Sequence, residues 1–185
     1  IPCVGKVSLK DLNPRMTLNL CLELNFMSKS IISKKILFWY DNNKRILPWR
    51  KNTSKEQKLY FTLVSEFMLQ QTQVSTVIPY FKRFVQKIPN FKKLSKANDQ
   101  TLMKLWEGLG YYSRARNLKK SAIMINGKFG GTLPSNIEDL KSLPGVGDYT
   151  STAIMAIAFN QKFIPLDGNV ERILKRVLYL SLIHI

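Results

Sequence analysis

Histidine is almost missing from this chain of 185 residues: His184, one residue from the end, is the only one. No Ser-His or Cys-His nucleophilic arrangement can be built on it, so acid-base chemistry falls to carboxylates. Cysteine is nearly as scarce. Cys3 and Cys21 both lie near the N-terminus without a CxxC spacing, so neither a zinc site nor a cysteine-held cluster can be assembled within the chain, and no disulfide framework is expected. No apolar stretch approaches the ~20 residues that span a bilayer, and the start has no signal-peptide pattern, which leads us to expect a soluble, intracellular protein. Acidic residues are the third shortage: 12 Asp and Glu face 29 Lys and Arg, a formal charge of +17. Because 45% of residues are hydrophobic, a packed core coexists with that basic surface. Nucleic acid is the leading partner; a generally basic protein from a Lys- and Asn-rich proteome is the alternative. The length allows one domain, or one domain plus a fragment of another.

What is present is helical periodicity. Ile31 to Tyr40 has apolar residues on one helical face, and Lys55 to Leu69 spaces Leu59, Leu63, Val64, Phe67 and Met68 helically after a Ser54-x-x-Gln57 cap. Val74 to Val85 repeats the pattern, with Pro79 expected to kink it or mark its start. Helices follow over Asp99 to Trp106 and Ser113 to Ile125, and Ser135-x-x-Glu138 reads as a capping box. Tyr149 to Phe159 and Asn169 to Leu180 complete the set. No alternating strand pattern competes, so the fold is expected to be all-α. Residues 1–26 have weak periodicity and both cysteines; they read as an atypical, possibly disordered leader, with Met27 a natural start. The last helix runs into Ser-Leu-Ile-His-Ile without a polar cap, which suggests a truncated chain.

Between two of these helices lies Leu-Pro-Gly-Val-Gly-Asp-Tyr, from Leu143 to Tyr149. Pro144 favours a turn, and Gly145 and Gly147 permit backbone angles closed to other residues. Backbone N–H groups of Gly145, Val146 and Gly147 then meet a helix N-terminus, an arrangement that binds an anion such as phosphate. An ordinary tight turn between helices gives the same spacing. Twenty residues after Gly147 comes Asp167, followed by Gly168, Asn169 and an amphipathic helix; the position suits a helix N-cap as well as a catalytic carboxylate.

Five blocks occur in one order: Trp49-Arg50, VSEFMLQQTQV from Val64, GLGYYSRARNL from Gly108, LPGVGDYTSTAI from Leu143 and LDGNVERIL from Leu166. Together, from about Ile31 to Tyr179, they resemble the MutY-type adenine DNA glycosylases of the endonuclease III superfamily. The resemblance implies a six-helix barrel carrying a helix-hairpin-helix at 143–153, with the barrel over 51–163. Residues 27–50 would supply the N-terminal helix of a second domain and the pocket entrance, and 164–185 the start of that incomplete helical domain. It implies removal of adenine mispaired with 8-oxoguanine or guanine from double-stranded DNA by a monomer, acting in a bacterial cytoplasm or in a nucleus or mitochondrion. A [4Fe-4S] cluster belongs to the full-length family, but its four cysteine ligands are absent from this chain.

The resemblance also assigns roles residue by residue. Glu66 matches the general acid, and its place beside Phe67, Met68 and Leu69 would raise its pKa; alone, it would read as a surface salt-bridge glutamate. Asp167 matches the carboxylate that stays ionised beside a developing oxocarbenium, with Tyr149 and Asn169 around the sugar and its water. Arg45, Trp49 and Arg50 match the adenine pocket, although a Trp-Arg stack at a helix entrance explains the last two equally. Gln71 and Tyr111 match wedge positions in the base stack, and Thr72 an opposite-base contact; core packing is the plainer reading of Tyr111. Bifunctional relatives carry a lysine where Tyr149 stands, so the expected enzyme is a monofunctional hydrolase. The chain departs from the family before Glu66, where a Pro-Tyr pair and a Trp are replaced by Leu59, Tyr60 and Leu63. Two other readings stay open: a glycosylase for another mismatched base, and an inactive DNA-binding fragment.

Overall fold

A computed structural model describes residues 31–51 and 53–177. The expectations for the leader at 1–26, for Met27 and for the chain end beyond Val177 therefore lie outside the described residues. Among those described, every regular element is helical. In chain order they are α1 (Ile31–Asn43), a 3-10 turn (Pro48–Arg50), α2 (Lys55–Leu69), α3 (Val74–Lys87), α4 (Phe91–Ser95), α5 (Asp99–Trp106), α6 (Ser113–Lys128), α7 (Ile137–Lys141), α8 (Asp148–Phe159) and α9 (Gly168–Val177). The chain divides into two compact units, one spanning Ile46–Lys162 and the other made of Ile1–Arg45 with Phe163–Ile185.

Caps start the helices where local chemistry allows. Ser54 accepts from the Gln57 N–H at 3.3 Å, as its spacing predicts. The capping box predicted at Ser135 is displaced by one residue: Asn136 Oδ1 accepts from the Asp139 N–H at 2.8 Å. Asn can present its acceptor at the same distance as Ser, so the sequence alone leaves two adjacent candidates. Asn90 and Asn98 cap α4 and α5 in the same way. Pro79 sits inside α3, which begins at Val74, so it does not mark the helix start. The five-residue α4 has no signal in the periodicity, because Phe91 and Leu94 are its only buried residues.

The larger unit is built around α2, which packs against α3, α6 and α8. Its buried Leu59, Leu63, Val64, Phe67 and Met68 form the centre of the core, each worth roughly 1.5–3 kcal/mol of transfer free energy. Tyr60 Oη donates to the Ile88 carbonyl at 2.5 Å, tying α2 to the end of α3 without leaving a buried hydroxyl unpaired. An aromatic cluster closes the entrance to α2: Phe81 meets Trp49 and Phe61 edge-on, both with ring centroids 5.3 Å apart. In the smaller unit, α1 ends with Asn42 and Asn43 donating to the Phe38 and Trp39 carbonyls, both at 2.8 Å. A Lys175–Glu171 ion pair at 2.8 Å runs along α9.

Candidate active site and nucleic-acid interface

Glu66 lies in the last turns of α2 between the buried Ser65 and Phe67. Its carboxyl is half-buried, and desolvation pushes its pKa up to about 7, against a smaller downward pull from the Arg50 guanidinium. A glutamate in this state is a proton donor near neutral pH. Trp49 is 5% exposed and packs on Phe81, whereas Arg50 is exposed. The short 3-10 turn that carries both residues thus sends one side chain into the core and leaves the other to bias Glu66 electrostatically. Arg45 is exposed and belongs to the smaller unit.

The hairpin joins α7 to α8 within the larger unit. Val146 is buried, and its N–H closes the turn on the Leu143 carbonyl at 3.1 Å. Gly145 and Gly147 supply the exposed backbone. Gly145 has a φ of +82°, and a Cβ there would come within 2.9 Å of Phe67 Cε1 and 3.0 Å of Asn117 Cβ, so any side chain would push the hairpin off α2 and α6. Nothing lies within 4 Å of a Cβ placed at Gly147, the N-cap of α8, so that glycine leaves open space over the helix N-terminus. Lys141 pairs with Asp148 at the same corner. Tyr149 is 45% exposed in the first turn of α8.

Gln71 and Tyr111 both have left-handed backbone, with φ of 55° and 49°. Both are exposed, Tyr111 by 62%, so core packing does not explain that tyrosine. They sit in different loops, after α2 and before α6, and a residue that sequence reading passed over brings those loops together. Arg114 is 6% exposed, and among the described residues no carboxylate pairs with it; its charge is met by carbonyl oxygens. The two N–H groups of Nη1 are shared among the carbonyls of Phe67 at 3.2 Å, Met68 at 2.9 Å and Gln70 and the Thr72 Oγ1 at 3.1 Å. Nη2 donates to the carbonyls of Leu109 at 3.2 Å and Gly110 at 3.1 Å. The Phe67 and Met68 carbonyls are end groups of α2, where a cation also complements the helix dipole. The Trp106 and Tyr111 rings flank the guanidinium at 5.7 and 5.3 Å, and burial lowers its pKa. One signal was available: Arg114 shares the stripe of Ala115, Leu118, Ala122 and Ile125 that α6 buries. Gln70, also unpredicted, joins the hairpin to the same cluster, its Nε2 donating to the Gly145 carbonyl at 3.3 Å.

In the smaller unit, Asp167 caps α9. Its Oδ1 accepts from the Val170 N–H at 2.7 Å and the Asn169 N–H at 3.0 Å, while Oδ2 accepts from Asn169 Nδ2 at 3.3 Å. The Val170 bond, then the bonds from Asn169, hold this carboxyl below the usual carboxylate range despite some desolvation. Both readings of Asp167 are compatible with that geometry, since capping is what keeps it ionised. Among the described residues no cluster of three or more His, Cys, Asp or Glu gathers that could hold a metal ion. With two cysteines, both outside the described residues, the chain does not fit a four-thiolate cluster. No helix among the described residues is long and apolar enough to cross a membrane.

A family model described as "HhH-GPD superfamily base excision DNA repair protein" matches residues 64–182. The chain is 48% identical over 149 residues to an adenine DNA glycosylase of Rattus norvegicus, a match covering 78% of this chain and 29% of the rat protein. It is 44% identical over 151 residues to an adenine DNA glycosylase of Buchnera aphidicola subsp. Acyrthosiphon pisum (strain APS), covering 81% of this chain and 42% of that one. The chain thus spans well under half the length of these curated relatives. Among solved structures, a thermostable thymine-DNA glycosylase is similar with a TM-score of 0.71 at 27% identity, over 82% of this chain and 68% of that one. An endonuclease III–DNA complex shares the fold with a TM-score of 0.67 at 21% identity, over 94% of this chain and 73% of that one. By sequence and by fold, the chain belongs to the HhH-GPD superfamily of base excision DNA repair proteins.

Proposed function

We propose that this protein excises adenine mispaired with 8-oxoguanine or guanine by hydrolysing the N-glycosidic bond, acting as a monomer inside the cell. The observation that carries the reading is Glu66: a half-buried carboxyl with a pKa of about 7, at the end of a helix whose following loop is tied through Arg114 to the Gly110 carbonyl and through Gln70 to the hairpin. A base must leave the stack before it can be attacked. Gln71 and Tyr111 enter the duplex as wedges, Thr72 meets the opposite base, and the Gly145 and Gly147 backbone holds phosphate. The family resemblance gives the reception of the adenine to Arg45, Trp49 and Arg50. Glu66 then protonates the leaving base, because adenine departs poorly as an anion.

Positive charge develops on the sugar as the bond breaks. The family resemblance gives the offsetting of that charge to Asp167, which its cap bonds keep ionised, and the placing of the attacking water to Asn169 and Tyr149. Tyrosine cannot form the Schiff base that strand cleavage requires, so the product is an intact strand with an abasic site. No step runs through an iron-sulfur cluster.

The likeness to a thymine-DNA glycosylase supplies the rival reading. Incubation with duplexes carrying A opposite 8-oxoguanine or T opposite G separates the two under single-turnover conditions. Adenine release is the expected result. Release of thymine alone overturns the adenine assignment, and a shift in duplex mobility with no base release assigns the chain a binding role only.

A further inference from the structure

We propose that Arg114 is a positioning residue for the wedge: its guanidinium grips the Gln70 and Gly110 carbonyls and so fixes the two peptide planes that precede Gln71 and Tyr111. This inference rests on the wedge roles given to those two residues above. Rotation about the bond after each of these planes sets φ at the wedge residue. Left-handed φ is unfavourable for any residue with a Cβ, and among the described residues Gln71, Tyr111 and the helix-ending Asn160 are the non-glycine positions that adopt it. Asn160 is of the residue type that tolerates this region; Gln71 and Tyr111 are not, and both sit one residue after a carbonyl that Arg114 holds. The Gly110 carbonyl is further fixed by Trp106 Nε1 at 3.1 Å, which fills its second lone pair.

The geometry of the fork explains why arginine stands here. Nη1 serves the loop after α2 and Nη2 serves the loop before α6, so one rigid planar group sets the separation of two loops far apart in sequence. A lysine ammonium keeps the charge but has no such spacing. Gln70 extends the tie to the hairpin through the Gly145 carbonyl, so wedge, opposite-base and phosphate elements share one buried anchor. Burial of the guanidinium shields this anchor from competing water.

Two measurements on the full chain test the assignment. The first is a stability cycle in urea: Arg114→Lys is introduced into the wild-type chain and into a Gln71→Gly, Tyr111→Gly background, where left-handed φ carries no penalty. Pinning predicts that the loss in unfolding midpoint caused by Arg114→Lys is larger in the glycine background, because releasing the wild-type loops also relieves left-handed strain that the glycines never carry. Equal losses in both backgrounds, or a chain unfolded in both, overturn the inference. The second measurement follows the fluorescence rise of 2-aminopurine placed opposite guanine as protein saturates the duplex. Arg114→Lys is expected to cut that rise at least fivefold relative to wild type while the pH profile of base release keeps its midpoint. If wild type extrudes the base and Arg114→Lys does so equally well, positioning fails. If the cycle shows coupling but wild type extrudes nothing, the wedge reading fails and the backbone role of Arg114 stands.

Discussion

Glu66→Gln should separate chemistry from folding in opposite directions. The native carboxyl titrates near pH 7, against 4.5 for an unperturbed glutamate. Between those values the native state holds a proton that the unfolded chain has lost, so stability falls as pH rises through this window and stays lower above it. The gap corresponds to about 3 kcal/mol, which the uncharged Gln does not incur. Measured at about pH 8, the variant should therefore be the more stable protein, melting roughly 6–12 °C higher; at about pH 4 the difference should vanish. Catalysis should move the other way. Loss of a positioned general acid removes about 10²- to 10⁴-fold in rate, equivalent to about 3–5 kcal/mol of barrier. Single-turnover release of adenine by the wild-type chain should be flat below about pH 6 and fall tenfold per unit above about pH 8, because only the protonated acid acts. The variant should bind DNA but lack that limb. Adenine release at the wild-type rate by Glu66→Gln, or a wild-type rate that ignores pH across this range, would refute both the acid assignment and the desolvation behind it.

Four further substitutions test the same geometry. Gly145→Ala should destabilise the fold by about 1–3 kcal/mol in urea titrations, since the new Cβ meets Phe67 and Asn117 at a φ of +82°. Gly147→Ala, with nothing in its way, should change stability by less than about 0.5 kcal/mol and weaken duplex binding alone. Asp167→Asn keeps an acceptor for the Asn169 and Val170 N–H groups but loses the charge, so melting should fall slightly at neutral pH while base release falls roughly a hundredfold or more. Acid sensitivity gives that substitution a second check: the depressed pKa of Asp167 contributes stability above the unfolded carboxylate range that is lost as pH falls through the folded value, and the Asn variant lacks this loss. Tyr149→Lys places an amine in the first turn of α8, and borohydride trapping should then detect a covalent protein–DNA adduct; none formed would count against the hydrolase-lyase distinction.

Much of the architecture was legible because its causes are local. A cap is decided within about three residues and an apolar stripe within two turns, so Ser54, the span of α2 and the end of α8 at Phe159 follow from short stretches of chain. The same locality explains the misplaced box at Ser135, where Asn136 competes one residue away. The hairpin glycines and the Asp167 cap were equally readable. Tertiary structure alone decided the rest. The extent of the Glu66 shift, whose direction its apolar neighbours already implied, comes from atoms packed around it, and the exposure of Tyr111 is settled by a loop's path. The grip of Arg114 on carbonyls 44 to 47 positions away could not be read from a helical Arg-Ala-Arg, since periodicity tells which face is buried but not which partner waits there. Desolvation and long-range hydrogen bonding depend on what folding brings near, and that is where the chain acquires both its proton donor and the anchor for its loops.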